Sequence, residues 1–179
     1  NLIEHWNLLV NLCDTNYLIM AGDDDIYDLH FLEEIDLLTI KYPCIEILRA
    51  RTQRIDEEGD VYMKESLFEE HVTQLKFIYD MYRNNFIHCI GNYVIKTERI
   101  KSENGFISFP FAWCSDDASI QKYSSKGVVN TYLSLFNFRT STLNISNQHQ
   151  NYSCTHGKVQ AIKLYSIFVK ENNKKIIAD

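Results

Sequence analysis

Three consecutive carboxylates, Asp23, Asp24 and Asp25, directly follow an apolar run in the stretch MAGDDDIY. Because like charges repel, their accumulation at the end of a predicted strand needs a physical reason. One reason is a divalent cation, since carboxylate oxygens are the preferred ligands of hard cations and the cluster can offer two of them to one ion. The other is a polar turn in which one aspartate caps the following helix. Both interpretations are open at the level of sequence.

A second acidic pair, Asp116 and Asp117, opens a predicted helix in the stretch WCSDDASI. The helix macrodipole stabilises ionised carboxylates in the first turn. An ionised carboxylate in a partly apolar cleft can act as a general base toward a hydroxyl. The alternative is again capping, with Ser115 or Asp116 as the N-cap residue. The second pair is the candidate partner of the first.

Aromatic residues and a glycine supply candidate substrate contacts. Phe109, Phe111 and Trp113 precede the second acidic pair and can stack on a substrate, although the core is the commoner place for aromatic side chains. Gly91, inside a predicted strand, indicates a close approach to the backbone. The candidates for substrate contact are therefore Trp113, Phe111 and Gly91. Three arginines could pair with phosphate groups: Arg49, Arg51 and Arg139. The commoner alternative is that they are solvated surface charges.

The elements that must position these residues follow an α/β pattern. Apolar periodicity predicts helices up to residue 13 and over 30–42, 66–82, 97–101, 115–125 and 159–170. It predicts strands over 17–21, 45–55, 89–95 and 128–138, with a hairpin strand returning from residue 61. The wholly apolar run at 17–21 is typical of a strand buried on both faces of a largely parallel sheet. The aspartate triplet then follows the end of a strand, where open α/β sheets bind ligands.

Composition restricts the class of protein. With 179 residues and 45% hydrophobic content, the chain is expected to form one domain, with residues 145–179 as a C-terminal helical extension. A net charge of −6 argues against a nucleic-acid partner, which usually requires a basic face. No apolar run reaches the length of a spanning helix.

The cysteines bear on the cellular compartment. Five of them, an odd number without a CxxC pair, favour reduced thiols and a cytoplasmic protein. Association of a longer parent protein with the cytoplasmic face of a membrane stays open. His88 and Cys89 lack the closely spaced companions of a structural zinc site, as do Cys154 and His156.

The order of these motifs resembles the inverting family-2 glycosyltransferases of the GT-A fold. In that family a strand ends in an acidic motif, commonly D-S-D-D, which binds the divalent ion that holds the nucleotide-sugar diphosphate. A G-G-F stretch then leads to an E-D motif that opens a helix, and its second acid is the catalytic base. Here GDDDIY, NGF and WCSDDASI stand in those places, and Gly22 replaces the first aspartate.

The resemblance implies roles for the acidic residues. Asp23, Asp24 and Asp25 would form the cofactor site, with Asp24 and Asp25 at the positions that hold Mg²⁺ or Mn²⁺. Asp23 stands where serine is usual. Asp116 takes the place of the glutamate, and Asp117 that of the base. The implied partners are a nucleotide-sugar donor such as a UDP-sugar and a saccharide or lipid-linked acceptor, in bacterial surface polysaccharide synthesis.

The resemblance also implies a partial fold. The chain corresponds to the C-terminal two-thirds of such an enzyme, a mixed sheet flanked by helices from which the N-terminal βαβ portion is absent. A strand at residues 17–21 without its neighbours would leave an open apolar edge, and such an edge predicts self-association.

Two other functions fit the same residues. A metal-dependent phosphotransferase or hydrolase also gathers aspartates around its ions. A non-catalytic acidic α/β interaction module would use its aspartates only to cap helices.

Overall fold

A mixed sheet flanked by helices forms the body of the protein, in agreement with the α/β prediction. The computed structural model describes residues 1–141 and 152–178. The strands are β1 (Tyr17–Ile19), β2 (Ile26–Tyr27), β3 (Ile47–Ile55), β4 (Val61–Lys64), β5 (His71–Val72), β6 (Tyr93–Lys96) and β7 (Val128–Arg139). The α-helices are α1 (Leu2–Leu12), α2 (Phe31–Lys41), α3 (Gln74–Tyr82), α4 (Thr97–Ser102), α5 (Ser115–Tyr123) and α6 (Tyr152–Ala178).

The sheet has the strand order β1-β6-β3-β7-β2, with β4 added to β3 and β5 added to β7. Among the described strands only β3 and β7 pair in parallel, and every other pair is antiparallel. The expectation of a largely parallel sheet around residues 17–21 is therefore wrong. β1 is a short, half-exposed strand at the sheet edge, antiparallel to β6.

The first strand is short because the chain leaves the β1 edge of the sheet after Ile19. After β1 the chain crosses to the other end of the sheet, where Ile26 and Tyr27 pair with β7. Asp25 accepts a hydrogen bond from the Arg139 backbone N–H at 3.0 Å, which fixes the chain at this crossing. The outer edge of β1 is open in the described part of the chain, and self-association through that edge stays a prediction.

Both faces of the sheet are covered. Along β3, Ile47 packs into a core with residues of α1, α3 and α5, whereas Leu48 packs into a second core with residues of α2. This alternation is the period-two pattern of a strand with both faces buried. The sheet thereby holds α5, which carries the second acidic pair, on the face opposite α2.

Two helices differ from their predicted lengths. α3 begins at Gln74, capped by the Thr73 side chain, and not at residue 66. Asn130 of β7 bonds the backbone carbonyls of Glu69 and Glu70 and draws that segment to the sheet. α6 continues well beyond the predicted 159–170 and includes the polar stretch after Lys170. Residues 145–151 of the predicted extension lie outside the described residues. No described helix is long and apolar enough to cross a membrane.

Candidate functional site

A cavity of about 830 Å³ adjoins the second acidic pair. Much of its lining comes from the loop 84–90, from the turn 111–114 that leads into α5, and from residues 63–66 at the end of β4, and a few residues of α1, α3, α5, β3 and β7 complete it. The volume lies within the range of small-molecule sites in proteins. Asp116 and Asp117 both line this cavity, and so do Phe111 and Trp113.

Backbone geometry presents Asp116 and Asp117 to the cavity. Cys114, the residue before α5, has a left-handed backbone with φ of 62°. Phe111 and Ala112 are also left-handed, with φ of 57° and 58°. Three such residues within one turn concentrate backbone strain, a feature often found at functional sites. The chain thus enters α5 abruptly, and the acidic pair occupies its first turn.

Neither capping interpretation of the second pair is correct. The N-cap residue of α5 is Cys114, not Ser115 or Asp116, and no side chain caps this helix end. The Ser115 hydroxyl instead accepts a hydrogen bond from the Phe109 N–H at 3.1 Å. The Asp117 carboxylate has a different partner, because the loop 84–90 brings a histidine to it.

His88 faces the acidic pair. Its Nε2 lies 2.8 Å from Oδ1 of Asp117 and 3.9 Å from Oδ2 of Asp116. Burial is the largest single effect on His88 and lowers its pKa, but attraction to Asp117, a hydrogen bond to Asp117 and attraction to Asp116 together raise that pKa above its usual value. Burial alone would raise the pKa of Asp117, but attraction to His88 and the hydrogen bonds with His88 and Cys114 together hold that pKa below the ordinary value. Burial and repulsion from Asp117 raise the pKa of Asp116. The pKa values of these two neighbouring carboxyls are thus shifted in opposite directions.

Buried polar contacts fix His88 and Asp117. The Nδ1 of His88 lies 2.6 Å from the Tyr93 hydroxyl. The Cys114 thiol hydrogen-bonds Asp117, and burial followed by the charges of Asp117 and Asp116 raises the pKa of Cys114 to about 12. Cys114 therefore stays a neutral thiol that donates to the carboxylate.

A buried ion pair holds the loop that carries His88. Glu65 pairs with Arg49 across 2.6 Å and accepts hydrogen bonds from the backbone N–H groups of Thr52 and Ile87. The guanidinium of Arg49 also lies 4.3 Å from the ring centroid of Phe86. Ile87 and Phe86 immediately precede His88, so this pair ties the histidine to strand β3.

The aspartate triplet lies at the crossing between β1 and β2 and does not line the cavity. Asp23 and Asp24 are exposed and Asp25 is half-buried. None of the three caps α2, whose N-cap residue is His30, so the helix-cap interpretation of the triplet is wrong. Asp28 serves this turn instead, accepting a hydrogen bond from the His30 N–H at 2.9 Å. Burial raises the pKa of Asp25 to about 6 against the hydrogen bond from Arg139.

Cys89 and Gly91 lie between the two acidic groups. Burial raises the pKa of Cys89, and the charges of Asp25 and Asp116 raise it further. The thiol therefore lies close enough to both acidic groups to interact electrostatically with each. Gly91 packs under Phe136, where a β-carbon would lie 2.8 Å from the ring and 3.5 Å from Oδ2 of Asp25. The close approach expected at the Gly91 backbone is therefore made by the Phe136 ring. Gly91 does not line the cavity, and its contact with substrate stays a prediction.

Helix α6 packs on the aromatic turn. The Phe111 ring occupies the space next to Gly157, and the Lys158 ammonium lies 4.3 Å from the ring centroid of Trp113. Phe109 contacts Tyr165 edge-on. Phe111 remains half-exposed at the cavity. The C-terminal helix thus forms part of the surroundings of the acidic pair.

The arginines proposed for phosphate binding have structural partners. Arg49 is fully buried in an ion pair with Glu65, so it is neither free to bind phosphate nor a solvated surface charge. Arg51 donates to the backbone carbonyls of Glu65 and Tyr132. Arg139 donates to backbone carbonyls, among them that of Asp24. The arginine that lines the cavity is Arg54, whose buried Nε has no hydrogen-bond partner.

Sequence patterns gave no sign of the partnership between His88 and Asp117, because the two residues come from separate elements. The histidine stands just before a strand, between Ile87 and Cys89, and its sequence neighbours resemble those of any buried position. Only a long-range pairing constraint would have identified it.

Comparisons with known proteins support a glycosyltransferase-like fold. No family model matches the sequence, and no curated protein matches it. Residues 1–349 of S. aureus TarS, a glycosyltransferase, in complex with UDP match with a TM-score of 0.56 and 15% identity over 76% of this chain and 39% of that chain. A second structure of the same part of TarS matches with a TM-score of 0.56 and 14% identity over 74% of this chain and 38% of that chain. A longer TarS structure matches at 0.55 and 14% identity over 76% and 24%. The chain therefore spans less than half the length of these proteins, and identity this low shows the fold alone.

Proposed function

We propose that this chain is part of an inverting, family-2-like glycosyltransferase that moves a sugar from a nucleoside-diphosphate donor to an acceptor hydroxyl. Two observations support the proposal together: the fold resembles part of TarS, whose structure was solved with UDP, and the acidic pair lines a cavity. The acceptor would be a saccharide or a lipid-linked saccharide of a bacterial surface polysaccharide. The protein would work in the cytoplasm or at the cytoplasmic face of a membrane.

Asp117 is the proposed base. Inversion requires a group that takes the proton of the acceptor hydroxyl while that oxygen attacks the anomeric carbon from the side opposite the leaving diphosphate. A low pKa keeps the Asp117 carboxylate ionised, and His88 and Cys114 hold it in place. Burial raises the pKa of Asp116, and in its protonated form this carboxyl would donate a hydrogen bond to a sugar hydroxyl. Phe111 and Trp113 would stack on the sugar faces.

The aspartate triplet has the donor set for a hard cation. Asp25 is half-buried with a carboxyl pKa of about 6, and a divalent cation at this position would compensate the cost of ionising it. Asp24 is exposed beside it and supplies a second carboxylate. Mg²⁺ or Mn²⁺ bound by these two groups would neutralise the charge that develops on the leaving diphosphate.

The geometry of the aspartates separates this proposal from the two alternatives. A module whose aspartates only cap helices is not supported, because neither the triplet nor the second pair caps a helix. A phosphotransferase or hydrolase would use the same carboxylates, and the fold favours the glycosyltransferase over it.

The test is Mn²⁺-dependent binding of UDP to the 179-residue chain, measured by calorimetry. We expect Asp24→Asn to abolish the Mn²⁺-dependent part of the affinity, whereas Asp36→Asn, on the exposed face of α2, leaves it unchanged. Asp117→Asn should retain UDP binding and lose sugar transfer to an acceptor. Equal UDP affinity with and without Mn²⁺ in all variants would contradict the cation role of the triplet. Hydrolysis of a simple phosphoester without UDP binding would favour the hydrolase.

A further inference from the structure

Three metal-ligating groups converge where His88 meets the acidic pair. One donor atom from each of His88, Asp116 and Asp117 lies within 4.8 Å of the other two. The two separations from Nε2 of His88 are 2.8 Å and 3.9 Å. Around a tetrahedral ion with bonds of about 2.0–2.1 Å, ligand atoms lie roughly 3.3 Å apart. The two separations from Nε2 lie on either side of that value, so small movements of the two carboxylates would bring them to the ligand distance from the histidine.

The histidine has the orientation of a metal ligand. Its Nε2 is buried and faces the acidic pair, 2.8 Å from Oδ1 of Asp117. Its other nitrogen, Nδ1, contacts the Tyr93 hydroxyl at 2.6 Å. Metal-bound histidines characteristically use the second ring nitrogen in this way, which fixes the ring and leaves the first nitrogen for the ion. The Cys114 thiol plays the corresponding part for Asp117.

We propose that His88, Asp116 and Asp117 form a binding site for one transition-metal ion, Zn²⁺ in the cell, separate from the aspartate triplet. An imidazole nitrogen with two carboxylate oxygens selects Zn²⁺ and its neighbours in the first transition series, whereas Mg²⁺ prefers an all-oxygen site. Three protein ligands leave a fourth position for water or substrate, and the three residues all line the cavity.

The site has a consequence for the proposed function, although it does not depend on that function. An ion bound here would occupy the Asp117 carboxylate, so Zn²⁺ and the base role of Asp117 exclude one another. Zn²⁺ would then inhibit transfer, while Mg²⁺ or Mn²⁺ at the triplet would support it. Zn²⁺ binding itself can be measured without donor or acceptor.

The experiment uses Co²⁺ as a spectroscopic probe for Zn²⁺, with the 179-residue chain under reducing conditions. We expect one equivalent of Co²⁺ to give the strong visible absorption of a four- or five-coordinate site and one equivalent of Zn²⁺ to remove it. His88→Gln and Asp117→Asn should each weaken Co²⁺ binding by about tenfold or more. The matched control, His5→Gln on the exposed surface of α1, should bind as the parent does.

Several results would overturn the proposal. They are the absence of stoichiometric Co²⁺ absorption in the parent chain, an unchanged affinity in His88→Gln, and a loss confined to Asp24→Asn. Variants that fail to fold do not remove the test, since ¹⁵N spectra of the histidine rings in the parent chain report the ligand directly. A selective Zn²⁺-induced shift of the His88 Nε2 resonance supports the site, and an unshifted His88 resonance refutes it.

Discussion

Replacing Glu65 by glutamine tests whether a buried ion pair holds the loop that carries His88. The side chains of Glu65 and Arg49 are each only 1% exposed, and their charged groups meet at 2.6 Å. Glu65 also accepts hydrogen bonds from the backbone N–H groups of Thr52 and Ile87. Glutamine has one oxygen in place of two, so at least one of these donors would face an NH₂ group. Arg49 would remain charged and buried without a counter-ion.

The size of the effect follows from these contacts. Removing one partner of a buried ion pair costs about 3–5 kcal/mol, because the remaining charge stays desolvated. Domains of this kind have total stabilities of about 5–15 kcal/mol, so the loss takes a large share. We expect Glu65→Gln to lower the free energy of unfolding by about 3 kcal/mol or more. Amide exchange at Ile87 should become faster, because its acceptor is weakened.

Urea denaturation measures the free energy of unfolding. The control is Glu70→Gln, which breaks the exposed pair with Lys41 and should cost less than about 1 kcal/mol. The double variant Arg49→Met/Glu65→Leu removes both buried charges and should recover much of the loss. A loss below about 1 kcal/mol in Glu65→Gln, or a double variant less stable than the single one, would refute the account of a desolvated charge.

Two further predictions concern packing and pH. Gly91→Ala places a β-carbon 2.8 Å from Phe136 and should lower the free energy of unfolding, measured by thermal denaturation, by about 2–3 kcal/mol. Gly59→Ala, which meets no atom within 4 Å but has φ of +99°, should lose only about 1 kcal/mol in the same thermal denaturation, and equal losses would contradict the packing explanation. A hydrogen bond and attraction to Lys122, together with attraction to Arg99, lower the pKa of Glu103 below its ordinary value of 4.5. These ion pairs therefore stabilise the fold fully above pH 4.5, and the stabilisation is lost as the pH falls through the lowered pKa. The stability difference between Glu103→Gln and the parent should therefore shrink between pH 7 and pH 3, and a constant difference would contradict the ion-pair explanation.

Local patterns predicted much of the scaffold. The apolar periodicity of α1 and α2, the turn between β3 and β4, and the position of Asp116 and Asp117 in the first turn of α5 all depend on contacts within a few residues. The same local signals identified both acidic groups and the aromatic turn. The same signals were wrong about the sheet around residues 17–21 and about a helix over residues 66–73. Apolar content predicts burial, but it does not predict that β1 pairs with β6 in antiparallel orientation or that Asn130 bonds the Glu69 carbonyl.

The sequence by itself determined which residues could carry chemistry, since residue type and helix position already establish that Asp116 and Asp117 are acids at a helix start. Only the tertiary structure decided their state. His88 reaches Asp117 through the loop that Glu65 and Arg49 hold, and no local pattern records a contact between residues so far apart in the chain. The capping alternative was equally compatible with the sequence. It failed because the N-cap residue of α5 is Cys114, not Ser115 or Asp116, and that of α2 is His30, which follows the triplet. The fold directs Asp117 to a histidine and Asp25 to the Arg139 backbone instead.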